Sequence, residues 1–302
     1  MSTSTLTIDQ PRTEALGRIA DYIELTKPRI AVLELVVVLS AGVVATWGQP
    51  NPGRLLSAML GTLLVAASAS AANQWLEGRH DARMARTASR PLPAGRLSSR
   101  EVLAFSTVCL VLGGLHLSIF VNLPCAAWAL LTWAVYVLVY TPLKTVSPTN
   151  TAAGAIAGAL PVVIGWSAVG AELDHRTLAL FLVLFLWQFP HFMAIAWLYR
   201  SDYANAGYQM LTVVEPTGRR AGWQAALAAL ALIPVSIVPV LATPGLGCLL
   251  YVVAAGLLGA GQFTLAVLFW QRATELRARL LLRASLVYLP TLLVMLMLAP
   301  WT

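Results

Sequence analysis

Charge is what this 302-residue chain has least of: 11% of its residues are Asp, Glu, Lys or Arg, against 58% hydrophobic. So little charge excludes an ordinary soluble globular domain, and no stretch between the apolar runs reads as a soluble module. Cysteine is scarce too. Cys109, Cys125 and Cys248 lie singly in apolar stretches with no CxxC, CxxCH or zinc spacing, so they read as small core residues rather than as ligands. The first 20 or so residues, with Asp9, Pro11 and Glu14, lack both the apolar segment of a secretory leader and the Arg-rich, acid-free character of a mitochondrial presequence. The expected setting is therefore a bacterial cytoplasmic membrane. No Ser-His-Asp arrangement is visible.

What is present is a series of apolar runs of membrane-spanning length, at 30–48, 55–75, 102–120, 124–141, 149–169, 177–199, 222–243, 246–270 and 281–299. All read as helices, so the expected fold is an all-α, polytopic membrane bundle of about nine transmembrane helices. Residues 1–29 form an N-terminal cytoplasmic segment, and 30–302 a single intramembrane domain. Turn chemistry fills the short connections: Pro50 to Gly53, Asn122 and Pro124, Thr141 and Pro142, Pro244 and Gly245. The net charge of +7 would raise the question of nucleic acid in a soluble protein. Here the basic residues gather in alternate loops, which marks topology and no nucleic-acid surface. With the N-terminus inside, all of the 20 Lys and Arg except Arg54 and Arg176 fall on the cytoplasmic side. That bias predicts N-in, C-out. Small residues, such as Gly154 and Gly158 and the alanines of 64–72 and 152–159, permit close helix contacts without specifying an oligomer.

One polar stretch interrupts this pattern: Asn73-Gln-Trp-Leu-Glu77-Gly-Arg-His-Asp81-Ala-Arg-Met84-Ala-Arg86-Thr87. Asn73, Glu77 and Asp81 are spaced i, i+4 and i+8, so on a helix they line one face over roughly 12 Å. Two carboxylates a turn apart at a membrane boundary are costly unless a cation sits on them. Spacing alone leaves two readings. Glu77 and Asp81 pair with Arg79, Arg83 and Arg86 at headgroup level, or an oxygen ladder holds Mg²⁺ carried by a diphosphate.

The longer pattern, Asn73-x3-Glu77-x3-Asp81-x2-Met84-x-Arg86-Thr87 followed by Arg90-Pro91-Leu-Pro93, resembles the haem O synthases, the protohaem IX farnesyltransferase branch of the UbiA-type prenyltransferase superfamily. Glu77 stands where many members carry Asp, which keeps the charge and lengthens the reach. The resemblance implies that Asn73, Glu77 and Asp81 hold Mg²⁺ and an isoprenyl diphosphate. It extends to Asp202-Tyr203-x2-Ala-Gly207, the second acidic segment, which shares a membrane face with the ladder and implies Asp202 as a further metal-site residue. The chain departs from the family at Gln209, where Pro is usual. A second DxxxD is absent, so the number of metal ions stays open.

Several basic and aromatic residues take candidate substrate-binding roles from the same resemblance. Lys27 belongs to a Thr-Lys-Pro opening before the first span, and Lys144 to Tyr140-Thr-Pro-Leu-Lys144. Arg86 and Arg90 stand beside the ladder and Tyr203 beside Asp202. Each cation reads equally as a member of a positive inner loop. His191, in Pro190-His191-Phe192, lies about 16 Å along a helix from Asp202 and is a candidate contact for the prenyl tail or the porphyrin, or a histidine satisfied by its neighbours. Glu34 reads as a headgroup-level acid.

The chemistry implied is farnesyl transfer from farnesyl diphosphate to a vinyl group of haem B, with Mg²⁺ as cofactor, the lipid bilayer as medium and a haem A synthase as a downstream partner. The ladder alone does not separate this from prenylation of an aromatic quinone precursor. A transporter is disfavoured because the acidic groups gather at one membrane face and mark no path through the midplane.

Overall fold

Short polar residues placed ahead of the apolar runs start the helices. Asn51, Ser98, Asn122, Asp174 and Thr274 each accept a hydrogen bond from backbone N–H groups two or three residues on, satisfying donors that lipid could not. Ser98 with Glu101, and Asp174 with Thr177, close the bond in both directions. The computed structural model describes residues 10–241, 243 and 245–301; Asp9, Thr302 and the Pro244 of a predicted turn lie outside them.

In chain order the helices are α1 (Gln10–Leu25), α2 (Pro28–Ala45), α3 (Pro52–Asp81), α4 (Ser99–Phe120), α5 (Leu123–Ala134), a π-helical turn (Val135–Tyr140), α6 (Thr141–Leu143), α7 (Asn150–Ala159), α8 (Pro161–Ala168), α9 (His175–Leu198), α10 (Arg200–Asn205), α11 (Leu211–Val214), α12 (Arg219–Ile237), α13 (Leu246–Gln271) and α14 (Glu275–Leu298). Among the described residues there is no strand, and nine helical segments are long and apolar enough to cross a membrane. They match the nine predicted runs with shifted ends, and the chain is a multi-pass membrane protein. Two shifts matter. The second span continues as helix to Asp81, and the fourth changes its winding before its end.

Helix α2 packs against α3, α8, α9 and α14. Apolar association gains nothing from lipid by itself, so close contact has to hold these helices together. Val37, Trp166, Leu184 and Leu292 belong to one buried cluster, Val38, Leu55, Cys125 and Ile164 to a second, and Trp197, Ala225, Phe269 and Leu281 to a third. A Cβ at Gly165 would overlap the carbonyl oxygen of Val38, so only glycine lets α8 lie this near α2. Gly154 and Gly158 serve contacts inside the bundle, against the Tyr140 ring and Gln188. All three cysteines are buried and free.

The segment before the first span contains α1, which docks on one end of the bundle. Arg18 pairs with Glu101, Arg96 pairs with Asp21 at 2.7 Å and with Glu24 at 2.8 Å, and Tyr22 packs on Phe105. The far end of α2 meets the chain's last turn, where a Cβ on Gly48 would lie 2.9 Å from Pro300. The first and last spans therefore begin and finish at opposite ends, as an odd number of crossings requires.

Candidate active site

The ladder forms as the spacing predicts. Asn73, Glu77 and Asp81 share one face of the last turns of α3 and are 0%, 5% and 1% exposed. The charges that meet them are not the neighbouring arginines of the ion-pair reading. Each rung instead receives a cation from a different segment. Lys27 Nζ donates to Asn73 Oδ1 at 2.7 Å, Lys144 Nζ to Glu77 Oε1 at 2.6 Å, and Arg90 Nη1 to Asp81 Oδ2 at 2.6 Å. Three cations thus surround two carboxylates and an amide. The surplus positive charge suits an anion.

Local geometry sets each cation. Lys27 joins α1 to α2 in the left-handed conformation, with φ at 50°, which costs a non-glycine residue on the order of 1 kcal/mol. Gln74 steadies that corner by donating from its amide to the Leu25 carbonyl at 2.9 Å. Burial lowers the Lys27 pKa to about 7 against the pull of Glu77, with Arg90 and Lys144 adding to the shift and Asp81 opposing it. An arriving anion would favour its charged form. Burial also works against the Lys144 charge, but Glu77, with Tyr140 and Tyr136, outweighs it and holds Lys144 well above its ordinary value. Lys144 further sits over the Tyr140 ring at 4.4 Å.

Asp202, on α10, comes to the same end of the bundle. The Ala206 carbonyl after α10 accepts from His80 Nδ1 at 2.8 Å, and Gln209 N–H donates to the Lys144 carbonyl at 2.7 Å, so three loops meet there. Among the described residues the Asp202 side chain makes no hydrogen bond or ion pair, and no three His, Cys, Asp or Glu side chains converge as ready metal ligands. Arg86 turns from the ladder to the α10 side, where it donates to the Tyr203 hydroxyl at 2.8 Å and lies over the rings of Tyr199 and Tyr203.

His191 lies deeper, in α9. Its ring stacks on Trp187 at 4.9 Å, and Nδ1 is 2.9 Å from Ser285 Oγ. That hydroxyl already donates to the Leu282 carbonyl, so it accepts from His191 and Nδ1 carries the proton. The Nε2 lone pair is then left for another partner.

A bound divalent cation can be tested against these residues. Asp81 Oδ1 is buried with no hydrogen-bond partner among the described residues, a costly state for a carboxylate oxygen. The donors beside it are all hard oxygens, the type Mg²⁺ takes. The residues fit the ion. Sequence reasoning missed Gln74, whose Oε1 is likewise buried and unpartnered, and Tyr208, 2% exposed with an unpartnered hydroxyl and packed on His80 at 5.1 Å. Burial, reinforced by Glu77, raises the Tyr208 pKa, so the phenol stays a donor. No spacing rule marks either residue, because each acts through a different helix or loop.

The chain is 43% identical over 282 residues to the Protoheme IX farnesyltransferase of Solibacter usitatus, covering 89% of this chain and 95% of that one. It is 43% identical over 277 residues to that of Rhodopirellula baltica, covering 90% and 96%. Among solved structures it resembles a UbiA homolog from Archaeoglobus fulgidus bound to DMAPP and Mg²⁺, with a TM-score of 0.69 at 16% identity over 89% of this chain and 99% of that one. The model of the UbiA prenyltransferase family matches residues 35–299, and the chain belongs to that family.

Proposed function

We propose that this chain transfers the farnesyl group of farnesyl diphosphate to a vinyl group of protohaem IX, with addition of water, giving haem O and diphosphate. The observation that carries the reading is the buried Asn73-Glu77-Asp81 ladder with a cation on every rung, in a chain whose near full-length relatives are named Protoheme IX farnesyltransferase. A quinone-precursor prenyltransferase would share the ladder, but not the likeness to those relatives along the whole chain.

Asn73, Glu77 and Asp81 would hold Mg²⁺, with Asp202 reaching the same assembly from α10. Bound there, Mg²⁺ would supply a Lewis acid for the negative charge of the leaving diphosphate. Lys27, Arg90 and Lys144 bring three positive charges to hold that diphosphate beside the ladder, and Arg86 with Tyr203 closes the α10 side. Tyr136, Tyr140 and the buried helix faces keep bulk water from the allylic cation. The C1–O bond of the farnesyl diphosphate breaks, the vinyl carbon bonds to C1, and water adds its oxygen to the adjoining carbon and releases a proton. His191 contacts the porphyrin through its free Nε2.

Residues 30–302 act as one domain, and α1, within the 1–29 segment, docks on it. The site faces the cytoplasm of a bacterial inner membrane, where a haem A synthase can take up the product. On this topology a reporter fused at Thr302 is active outside the cytoplasm; activity confined to the cytoplasm would overturn it. For the reaction, purified protein given haem B, farnesyl diphosphate and Mg²⁺ should yield a haem heavier by one farnesyl group and one hydroxyl group. Diphosphate release that ignores haem and follows an added aromatic quinone precursor would select the rival.

A further inference from the structure

The π-helical turn Val135–Tyr140 stands next to the ladder, and its hydrogen bonds reach it. Pro142 has no N–H for the Leu138 carbonyl, and its ring crowds that carbonyl, so an α-helix cannot continue undisturbed through this point. The chain widens, and the Thr141 N–H bonds the carbonyl of Tyr136, five residues back. The Thr141 side chain follows its backbone. A helical threonine ordinarily bonds the carbonyl three or four residues behind it. Thr141 Oγ1 instead donates to that same Tyr136 carbonyl at 2.9 Å, which only the wider turn allows.

This commits the single hydroxyl proton of Thr141. The oxygen, on a residue only 3% exposed, can then only accept, and Asn73 Nδ2 donates to it at 2.9 Å. The amide of Asn73 is thereby fixed in one of its two orientations. Flipped, it would set a carbonyl oxygen against a hydroxyl with no proton to give, and an NH₂ group against the Lys27 ammonium. As it stands, Asn73 Oδ1 is presented to positive charge, at 2.7 Å from Lys27 Nζ. Gly154 makes room for the arrangement, since a Cβ there would lie 2.7 Å from the Tyr140 ring.

We infer that Thr141 is a positioning residue, which through the π-helical turn holds the Asn73 amide oxygen toward the cation and diphosphate site. The inference rests on the prenyl-diphosphate reading, though on neither the identity of the acceptor nor any step after binding. It is tested by Mn²⁺ binding to the full chain in detergent, followed by electron paramagnetic resonance with farnesyl diphosphate present and haem absent. Thr141→Val keeps shape and loses the hydroxyl. Partners one shell out from a metal typically change its affinity by about 10- to 100-fold, so Thr141→Val should weaken Mn²⁺ binding by at least about tenfold. Thr141→Ser, which keeps the hydroxyl, should bind like the wild type, and Thr141→Val should cost little once Asn73 is already Ala. Wild-type Mn²⁺ affinity in Thr141→Val, or failure of Thr141→Ser to bind when its thermal midpoint is unchanged, overturns the inference alone. If the wild-type chain takes up no Mn²⁺, the metal reading falls and the inference with it.

Discussion

Asp81→Asn is expected to bring farnesyl transfer below about a hundredth of the wild-type rate while the protein stays folded in the membrane. The carboxylate is 1% exposed, one oxygen is held by Arg90, and the other has no hydrogen-bond partner among the described residues. Substitution by the isosteric amide leaves the packing in place and removes the charge a divalent ion needs. Arg90 loses its anion, but its side chain is 26% exposed and can turn to water, so the stability cost is small. Glu77→Gln should lose transfer to the same extent and also some stability, because it leaves the buried Lys144 ammonium without its carboxylate. The measurement is turnover at several Mg²⁺ concentrations, beside Mn²⁺ affinity and a thermal melt. Near wild-type turnover at limiting Mg²⁺ would reduce Asp81 to an ion-pair partner of Arg90.

Lys144→Met should damage both stability and activity, for a different reason. Lys144 and Glu77 form a pair whose side chains are 12% and 7% exposed, so removing the ammonium strands a carboxylate in a site that water barely reaches. Breaking such a pair costs about 3–5 kcal/mol, whereas replacing both members by neutral groups is often tolerated. The double variant Lys144→Met with Glu77→Gln should therefore regain most of the melting temperature and none of the transfer. The pH dependence follows from the sign of the shift. Lys144 is held above its ordinary value, so on the alkaline side the pair's contribution is intact up to the normal lysine range and fades as strongly alkaline pH passes through the raised value. Across neutral pH the gap between wild type and Lys144→Met should be flat. A gap that closes near neutrality, or a double variant no more stable than the single, would count against the pair.

The nine spans, the ladder and the shared face of the two acidic segments could be read without coordinates, since each depends on local periodicity or on a simple charge bias. Apolar runs must become helices in lipid, where an unpaired backbone group has no solvent. The i, i+4, i+8 spacing of Asn73, Glu77 and Asp81 carries its own geometry. Which cation meets which rung was not legible. Arg79, Arg83 and Arg86 are nearest in the chain, yet Lys144, 67 residues from Glu77, and Lys27, 46 residues before Asn73, arrive together with Arg90. Those pairings depend on helices α2, α3 and α6 meeting at one end of the bundle, a consequence of packing along their whole lengths. The same holds for the roles of Thr141, Gln74 and Tyr208. Thr141-Pro142 announces a disturbed helix, but the widened turn acquires meaning only because α3 places Asn73 beside it. Sequence determined the elements and the polar face of α3; tertiary structure decided the partners, because a buried charge pairs with whatever group the fold brings within hydrogen-bond reach.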